Sequence, residues 1–186
     1  MPYSIASCPE ESREHGYLEF LLKLEPDGRW GGHLAGLRRG ARVAVTGPTG
    51  TFVFPPRPSE REFLFVAGGT GIAPLRSMIR HAFAVGQPGA LRLLYSARTP
   101  DDFAYRPELN GYARDGRLEL VLTATRTAGQ RWRGQRGRIT RERLASLLRT
   151  PETLCFVCGP AMMVDEVPRM LMELGIERRR IRLEEW

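Results

Sequence analysis

Residues 65–79, FVAGGTGIAPLRSMI, join an apolar run to a helix-like run through glycines at 68, 69 and 71. The apolar residues up to Ala67 read as a buried strand. Pro74 falls in the first turn of the helix that follows, where its missing N–H costs nothing. Gly68, Gly69 and Gly71 let the backbone come close to a pyrophosphate, and the free N–H groups of a helix start attract the anion. A turn placed after the first strand of an open parallel sheet lies where such sheets bind nucleotides. A tight structural turn is the competing reading. No Gly-Lys-Ser/Thr follows, and GPTGTF at 47–52 has no lysine either. The loop that cradles phosphates in ATP hydrolases is therefore absent.

Downstream of this turn, strands and helices alternate. FLFVAGG (63–69), LRLLYSA (91–97), Leu118–Thr123, Leu154–Cys158 and Ile181–Leu183 read as strands. Leu75–Val85, Pro107–Arg114, Arg141–Leu148 and Ala161–Leu174 read as helices, and Pro168 is expected to kink or break the last of them. The alternation predicts a doubly wound α/β domain with a five-stranded parallel sheet over residues 59–186. Upstream, Tyr3–Ser7, Tyr17–Leu24 and Arg42–Thr46 are β-like runs separated by Gly/Pro/Asp turns, as in an antiparallel sheet or barrel. They are too few to close one. Pro55-Pro56-Arg57-Pro58 marks the boundary, which assigns residues 1–58 to a separate unit.

The 186 residues carry a formal net charge of +7, and Lys23 is the only lysine. Arginine forks suit phosphate and carboxylate groups. They are densest in TRTAGQRWRGQRGRITRER (125–143) and RRRIR (178–182), which read as a solvated basic face, as phosphate ligands or, remotely, as a nucleic-acid surface. Aromatic residues other than Trp132 do not interleave with these runs, which disfavours nucleic acid. No apolar run is long enough to span a bilayer and no signal peptide is legible, so the default compartment is the cytoplasm. Cys8, Cys155 and Cys158 supply neither a disulfide framework nor a zinc or iron–sulfur set. No Gly-x-Ser-x-Gly elbow is present, and His15, His33 and His81 lack ligand spacing, so hydrolase and metal chemistry have no support.

Five landmarks then fall in one order over the chain. VAGGTGIAPL resembles the pyridine-nucleotide loop of the ferredoxin–NADP reductase family. MPYSIAS resembles its flavin motif Arg-x-Tyr-Ser, and GPTGTF its Gly-Pro-x-Gly-x-Phe turn. Phe156-Val157-Cys158-Gly159-Pro160 resembles its Cys-Gly-Pro motif, and Glu184-Glu185-Trp186 its terminal Glu-x-aromatic. The resemblance implies an FAD-binding antiparallel β-barrel, here partial, ahead of the α/β domain. Met1 stands where the family has its arginine. The expectation is a chain that lacks the N-terminal half of its barrel, with a natural minimal version as the alternative.

The same resemblance implies the site residues. Tyr3 would stack on the flavin ring and Ser4 would hydrogen-bond near its reactive nitrogen. Gly31 and Gly32 stand where the family usually has a serine or threonine at the flavin pyrophosphate, leaving backbone N–H groups for that task. Gly68, Gly69, Thr70, Gly71 and Pro74 would hold the nicotinamide dinucleotide, with Gly159 and Pro160 beside it. Cys158 would lie near the nicotinamide, Glu184 would orient that cysteine or relay protons, and Trp186 would cover the flavin face. The second strand ends Tyr95-Ser96-Ala97-Arg98, without the acidic residue that binds ribose hydroxyls of NAD. Ser96, Arg98, Arg126 and Arg138 fall where the family binds the 2′-phosphate, so NADPH is the expected coenzyme, with NADH possible.

These implications describe a flavin-dependent NAD(P)H oxidoreductase that passes electrons to a separate acceptor. Ferredoxin, flavodoxin, an oxygenase component and free flavin all fit that role. The +7 charge favours an acidic protein partner. The alternative is a non-catalytic nucleotide-binding fragment, or an electron-transfer subunit active only within a complex.

Overall fold

The computed structural model describes residues 3–24, 32, 36–129 and 131–185. Its centre is a parallel sheet of strands β1 (Glu62–Gly68), β2 (Ala90–Ala97), β3 (Glu119–Ala124), β4 (Gln135–Arg136), β5 (Leu154–Gly159) and β6 (Ile181–Glu185). Their spatial order is β4-β3-β2-β1-β5-β6, and every ladder is parallel. The chain winds outward from β1 to β4, then crosses back to lay β5 on the other side of β1. The sheet's switch point therefore lies between β1 and β5.

Alternation along the strands builds two cores, because successive side chains point to opposite faces. Phe63, Phe65 and Ala67 of β1 join Phe156 and Cys158 of β5 on one face. Leu64 and Val66 join Cys155 and Val157 on the other. Helices α2 (Ile72–Ala84) and α3 (Arg106–Arg114) cover the first face through Leu75, Ile79 and Leu109. Helices α4 (Arg141–Leu147) and α5 (Ala161–Glu173) cover the second through Leu144, Val167 and Leu171.

Six strands stand where five were expected. The additional one, β4, is two exposed polar residues with no hydrophobic signal. It is held from outside by Trp132, which stacks on Phe103 at 5.2 Å and donates its indole N–H to the Gln135 carbonyl at 2.7 Å. Gly134 makes this return possible, since a Cβ there would lie 2.3 Å from the Trp132 ring. Helix α5 runs unbroken through Pro168, with no interruption at Val167. Both residues are buried under the sheet, so packing offsets the backbone bond that the proline removes.

The β-like runs of the first unit do not form ladders among the described residues. Tyr3–Ser7 and Tyr17–Leu24 meet at an isolated antiparallel bridge between Ile5 and Phe20 and through bonds between Glu19 and residues 6 and 7, and Arg42–Thr46 lies outside any ladder. Between the first two runs lies a helix absent from the sequence reading, α1 (Pro9–His15), with Pro9 in its first turn and Gly16 in the left-handed conformation at its end. Glu10 and Glu11 fix it to His81 and Arg80 of α2. Phe54 is buried in the α2-side core against Phe63 and Phe156. The first unit thus packs on the α/β unit through ion pairs and the rings of Phe54 and Phe52.

Two glycines separate backbone constraint from helix propensity. Gly89 has φ +134°, and a Cβ there would lie 2.4 Å from the Arg61 carbonyl oxygen, which cannot move cheaply. Gly89→Ala is expected to cost about 1–3 kcal/mol and to lower the melting temperature by roughly 2–4 °C per kcal/mol. Gly111, inside α3 with open space around it, should behave oppositely. Gly111→Ala is expected to add about 0.5–1 kcal/mol, and paired thermal melts of the two variants check both signs.

Candidate functional site

Strand β1 ends at Gly68, and a single 3-10 turn, Gly69–Gly71, leads into α2. Gly69 has φ +53°, a conformation open to glycine at little cost. The neighbouring loop follows β5, where Cys158, Gly159 and Pro160 lead into α5. The two loops are pressed together backbone to backbone. A Cβ on Gly71 would lie 2.3 Å from the Cys158 carbonyl oxygen, and one on Gly159 would lie 2.6 Å from the Met163 sulfur. A Cβ on Gly68 would meet Met163 at 2.6 Å and Pro160 at 2.9 Å. Two long helices therefore start side by side at the switch point. Neither has a side-chain cap at its N-terminus, and neither has an acidic residue in its first turn.

Tyr95 braces the turn from below. Its hydroxyl donates to the Gly69 carbonyl at 3.0 Å and accepts the Ala104 N–H at 3.2 Å. Burial holds its pKa well above the ordinary phenol value, so the hydroxyl stays a donor. Thr70 is half-buried, and Pro74 is buried in the first turn of α2.

Register brings Glu184 to this place. Cys158 of β5 pairs with Glu184 of β6, and Gly159 pairs with Glu185. From the first unit, the Ser4 hydroxyl donates to Glu184 Oε1 at 2.6 Å, a short charge-assisted bond. Tyr3, the next residue toward the N-terminus, is 41% exposed, leaving its ring accessible. Cys158 is 1% exposed. Burial first, and the charge of Glu184 second, push its thiol from the ordinary 9.0 up to about 12. Cys155 faces the opposite core, and burial alone pushes it up to about 12 as well.

The arginines singled out in the sequence lie on the carboxyl-terminal edge of the sheet. Ser96, the last residue but one of β2, lies beside Gly68 and Thr123 in register and is buried. Arg98 follows β2, Arg126 follows β3 and Arg138 follows β4, and all three are exposed. The Arg126 N–H donates to the Arg98 carbonyl at 2.7 Å, which ties these two loops together. Arg138 reaches the sulfur of Met162, in the first turn of α5, at 3.9 Å. Arg143 orders this edge, a role the sequence does not reveal. Its guanidinium donates to Thr123 Oγ1 at 3.2 Å and to the carbonyls of Arg136 and Arg138.

The donor set suits a dinucleotide: two uncapped helix starts and glycine backbone at the switch point, with exposed guanidinium groups along the same edge. Tyr3 and Ser4 present an aromatic face and a hydroxyl for a flavin ring. Gly32 is exposed, and its carbonyl accepts the Gly36 N–H at 3.1 Å, which brings it to none of these groups. Gly31 and Trp186 lie outside the described residues. Among the described residues no group of side chains could hold a metal ion, and no helix is long and apolar enough to cross a membrane.

Residues 65–169 match the oxidoreductase NAD-binding domain, and residues 1–54 match the oxidoreductase FAD-binding domain. Ferredoxin–NADP reductase B of Sorangium cellulosum is 34% identical over 192 residues, covering 99% of this chain and 77% of that protein. NADH-cytochrome b5 reductase 1 of Ajellomyces capsulatus is 30% identical, covering 89% of this chain and 56% of that one. The crystal structure of the Amycolatopsis cytochrome P450 reductase GcoB superposes with a TM-score of 0.84 at 25% identity, covering 98% of this chain and 55% of that one. The chain thus spans little more than half the length of the latter two.

The neutral thiols give a pH signature. A thiol whose folded pKa lies above its unfolded value contributes stability that is complete below the unfolded value and lost as pH rises toward the folded one. With 9.0 and about 12 as the two limits for Cys155 and Cys158, the urea midpoint is expected to fall as pH climbs above about 9. At pH 8 the native protein should leave Cys158 unalkylated under conditions that label it in urea, as peptide mass mapping would read out.

Proposed function

The chain belongs to the ferredoxin–NADP reductase family of FAD- and NAD(P)-binding oxidoreductases, and on that premise we propose that it takes electrons from NADPH and delivers them to a separate protein acceptor. The observation that carries the reading is the contact between Ser4 and Glu184 in register with Cys158, beside the glycine turn at the switch point. Motifs far apart in the sequence converge there, at the seam between the FAD-binding and NAD-binding segments.

FAD, when bound, supplies two-electron acceptance from a nicotinamide and one-electron release to an acceptor. The residues of the chain bind, align and exclude water. Gly68, Gly69, Thr70 and Gly71, with the start of α2, hold the dinucleotide phosphates through backbone N–H groups. Gly159 and Pro160 form the adjoining wall. Tyr3 stacks against the flavin ring, and Gly31 and Gly32 lend backbone to its phosphates. Cys158 remains a neutral thiol across the working pH range, so it acts as a small, dry spacer that lets the rings approach, neither nucleophile nor base. Glu184 accepts a hydrogen bond from the Ser4 hydroxyl and is itself part-exposed, and its register with Cys158 assigns it to orienting that residue or relaying protons. Trp186 is assigned to the flavin face from the terminal motif.

Coenzyme choice rests on Arg98, Arg126 and Arg138, with Ser96 beside them. A 2′-phosphate offers these guanidinium groups a bidentate partner that NADH lacks. The acceptor is assigned to the acidic electron-transfer proteins, ferredoxin or flavodoxin, or to an oxygenase component. The formal charge of +7 supports an acidic partner, since opposite charge raises encounter rates. The lack of a β-ladder among the described residues of 3–54 favours a second reading, an electron-transfer subunit active only within a complex.

Three measurements test the proposal. Protein purified with added FAD should be yellow and should bleach with NADPH; a colourless protein that still binds NADPH supports the second reading. Ser4→Ala and Glu184→Gln should each lower NADPH oxidation by about tenfold to a thousandfold, in the range of a positioned proton-transfer group. The double variant Arg98→Ala, Arg126→Ala should lose most of the NADPH-over-NADH preference in kcat/KM, and an unchanged preference overturns the coenzyme assignment.

A further inference from the structure

Arg76 stands five residues beyond Gly71 on α2, the helix that starts at the glycine turn, and is 5% exposed. Its guanidinium reaches three separate segments. One terminal nitrogen donates to the Ala6 carbonyl at 2.8 Å and to Glu19 Oε2 at 3.0 Å. Nε and the other terminal nitrogen grip both carboxylate oxygens of Glu108, at 3.0 and 2.8 Å. The ring of Tyr105 lies 4.1 Å from the guanidinium carbon. Burial alone would lower the Arg76 pKa, but Glu108 and then Glu19 raise it, so the charge is permanent. The next residue acts the same way, since Ser77 Oγ donates to the Ser7 carbonyl at 2.8 Å.

These bonds fix the segment that carries Tyr3. Ser4 is held by Glu184, Ala6 by Arg76 and Ser7 by Ser77, so three of four consecutive residues are tied to the α/β unit. On its other side the segment has the Ile5–Phe20 bridge, the bond from the Ala6 N–H to the Glu19 carbonyl, and the bond from the Glu19 N–H to Ser7 Oγ at 3.1 Å. Resting on the reading given under Proposed function, we propose that Arg76 is a positioning residue for electron transfer. It sets the place of Tyr3 and Ser4 from the coenzyme-binding helix, so that the flavin-facing strand and the dinucleotide turn share one rigid reference. Alignment of this kind is costly to lose, because a shift of about 1 Å in reacting groups can lower a rate about a hundredfold. An apolar side chain could fill the same volume, but it could not hold the Ala6 carbonyl at a fixed distance from α2.

The test compares Arg76→Met, Arg76→Lys and Glu19→Gln in the FAD-supplemented full chain, by stopped-flow NADPH oxidation, NADP+ titration and amide hydrogen exchange. For Arg76→Met the expected result is a kcat lower by about tenfold to a hundredfold, with the NADP+ dissociation constant within about twofold. Exchange should rise at residues 4–8 and stay unchanged in β1, β2 and β5. Arg76→Lys should recover part of the rate, because an ammonium keeps a donor for one of the oxygens and loses the fork. Glu19→Gln, which leaves the Glu108 grip intact, should lower kcat by a smaller factor, again without weakening NADP+ binding. It decides the matter should Arg76→Met fail to fold. An unchanged kcat in Arg76→Met, or in Glu19→Gln in that event, overturns the proposal, as does a loss of rate matched by loss of NADP+ binding and exchange throughout the sheet. A wild-type chain that carries FAD and oxidises neither coenzyme overturns the functional reading. The exchange pattern at residues 4–8 then reports separately on whether Arg76 fixes the strand.

Discussion

The structure depends on how closely two backbones pass at the switch point of the sheet. Gly71 stands against the Cys158 carbonyl with no room for a Cβ, and Gly68 and Gly159 lie against the more yielding side chain of Met163. Glycine at these positions lets the turn after β1 and the loop after β5 lie side by side. Two helix starts then face one point, each offering backbone N–H groups uncapped by side chains. A Cβ at Gly71 would push the two loops, and with them the two helix starts, apart.

The first unit meets this edge by a different kind of bonding. Apolar anchoring is limited to Phe54 with the partly buried Leu21 and Phe52. Most of the attachment is ionic or hydrogen-bonded: Arg76, Arg80 and His81 on one side, with Glu10, Glu11 and Glu19 on the other. Such pairs are directional in a way that apolar contacts are not. Removing one member of a buried pair commonly costs about 3–5 kcal/mol, because the remaining charge is left uncompensated. A seam held by such pairs fixes the two units in one geometry, even where apolar packing would be the stronger adhesive.

The sequence made the sheet legible and the seam illegible, for physical reasons. β1, β2, β3, β5 and β6 are apolar runs bounded by turns, and their positions came out within one or two residues. β4 carries no apolar residue and exists only because Trp132 folds back over Phe103, so no periodic signal could mark it. Helix α5 kept its course through Pro168 because burial outweighed a local preference. The landmarks carried over from the family resemblance, Ser4, Cys158 and Glu184, do converge. Tyr95 and Arg143 were missed because each works through a carbonyl or hydroxyl elsewhere in the fold. Arg76 was missed for a related reason. Its partners Glu108 and Glu19 lie 32 and 57 residues away, and no local pattern distinguishes such an arginine from a surface one.

The basic excess is therefore not a single property of the surface. Arg76 and Arg92 are buried and Arg80 and Arg180 half-buried, each paired with one or more glutamates. Arg92 joins Glu62 and Glu119 across three neighbouring strands at the amino-terminal end of the sheet. Arg98, Arg126 and Arg138 stand exposed at the opposite, carboxyl-terminal end. Charge that closes the fold and charge left exposed to solvent thus occupy opposite ends of the same strands. Ionic strength should act on them unequally, because exposed charges are screened over about 8–10 Å in physiological salt while buried pairs are screened much less. Salt therefore screens the exposed arginines of the carboxyl edge more than the part-buried pairs of the seam that hold Ser4, Ala6 and Ser7 in place.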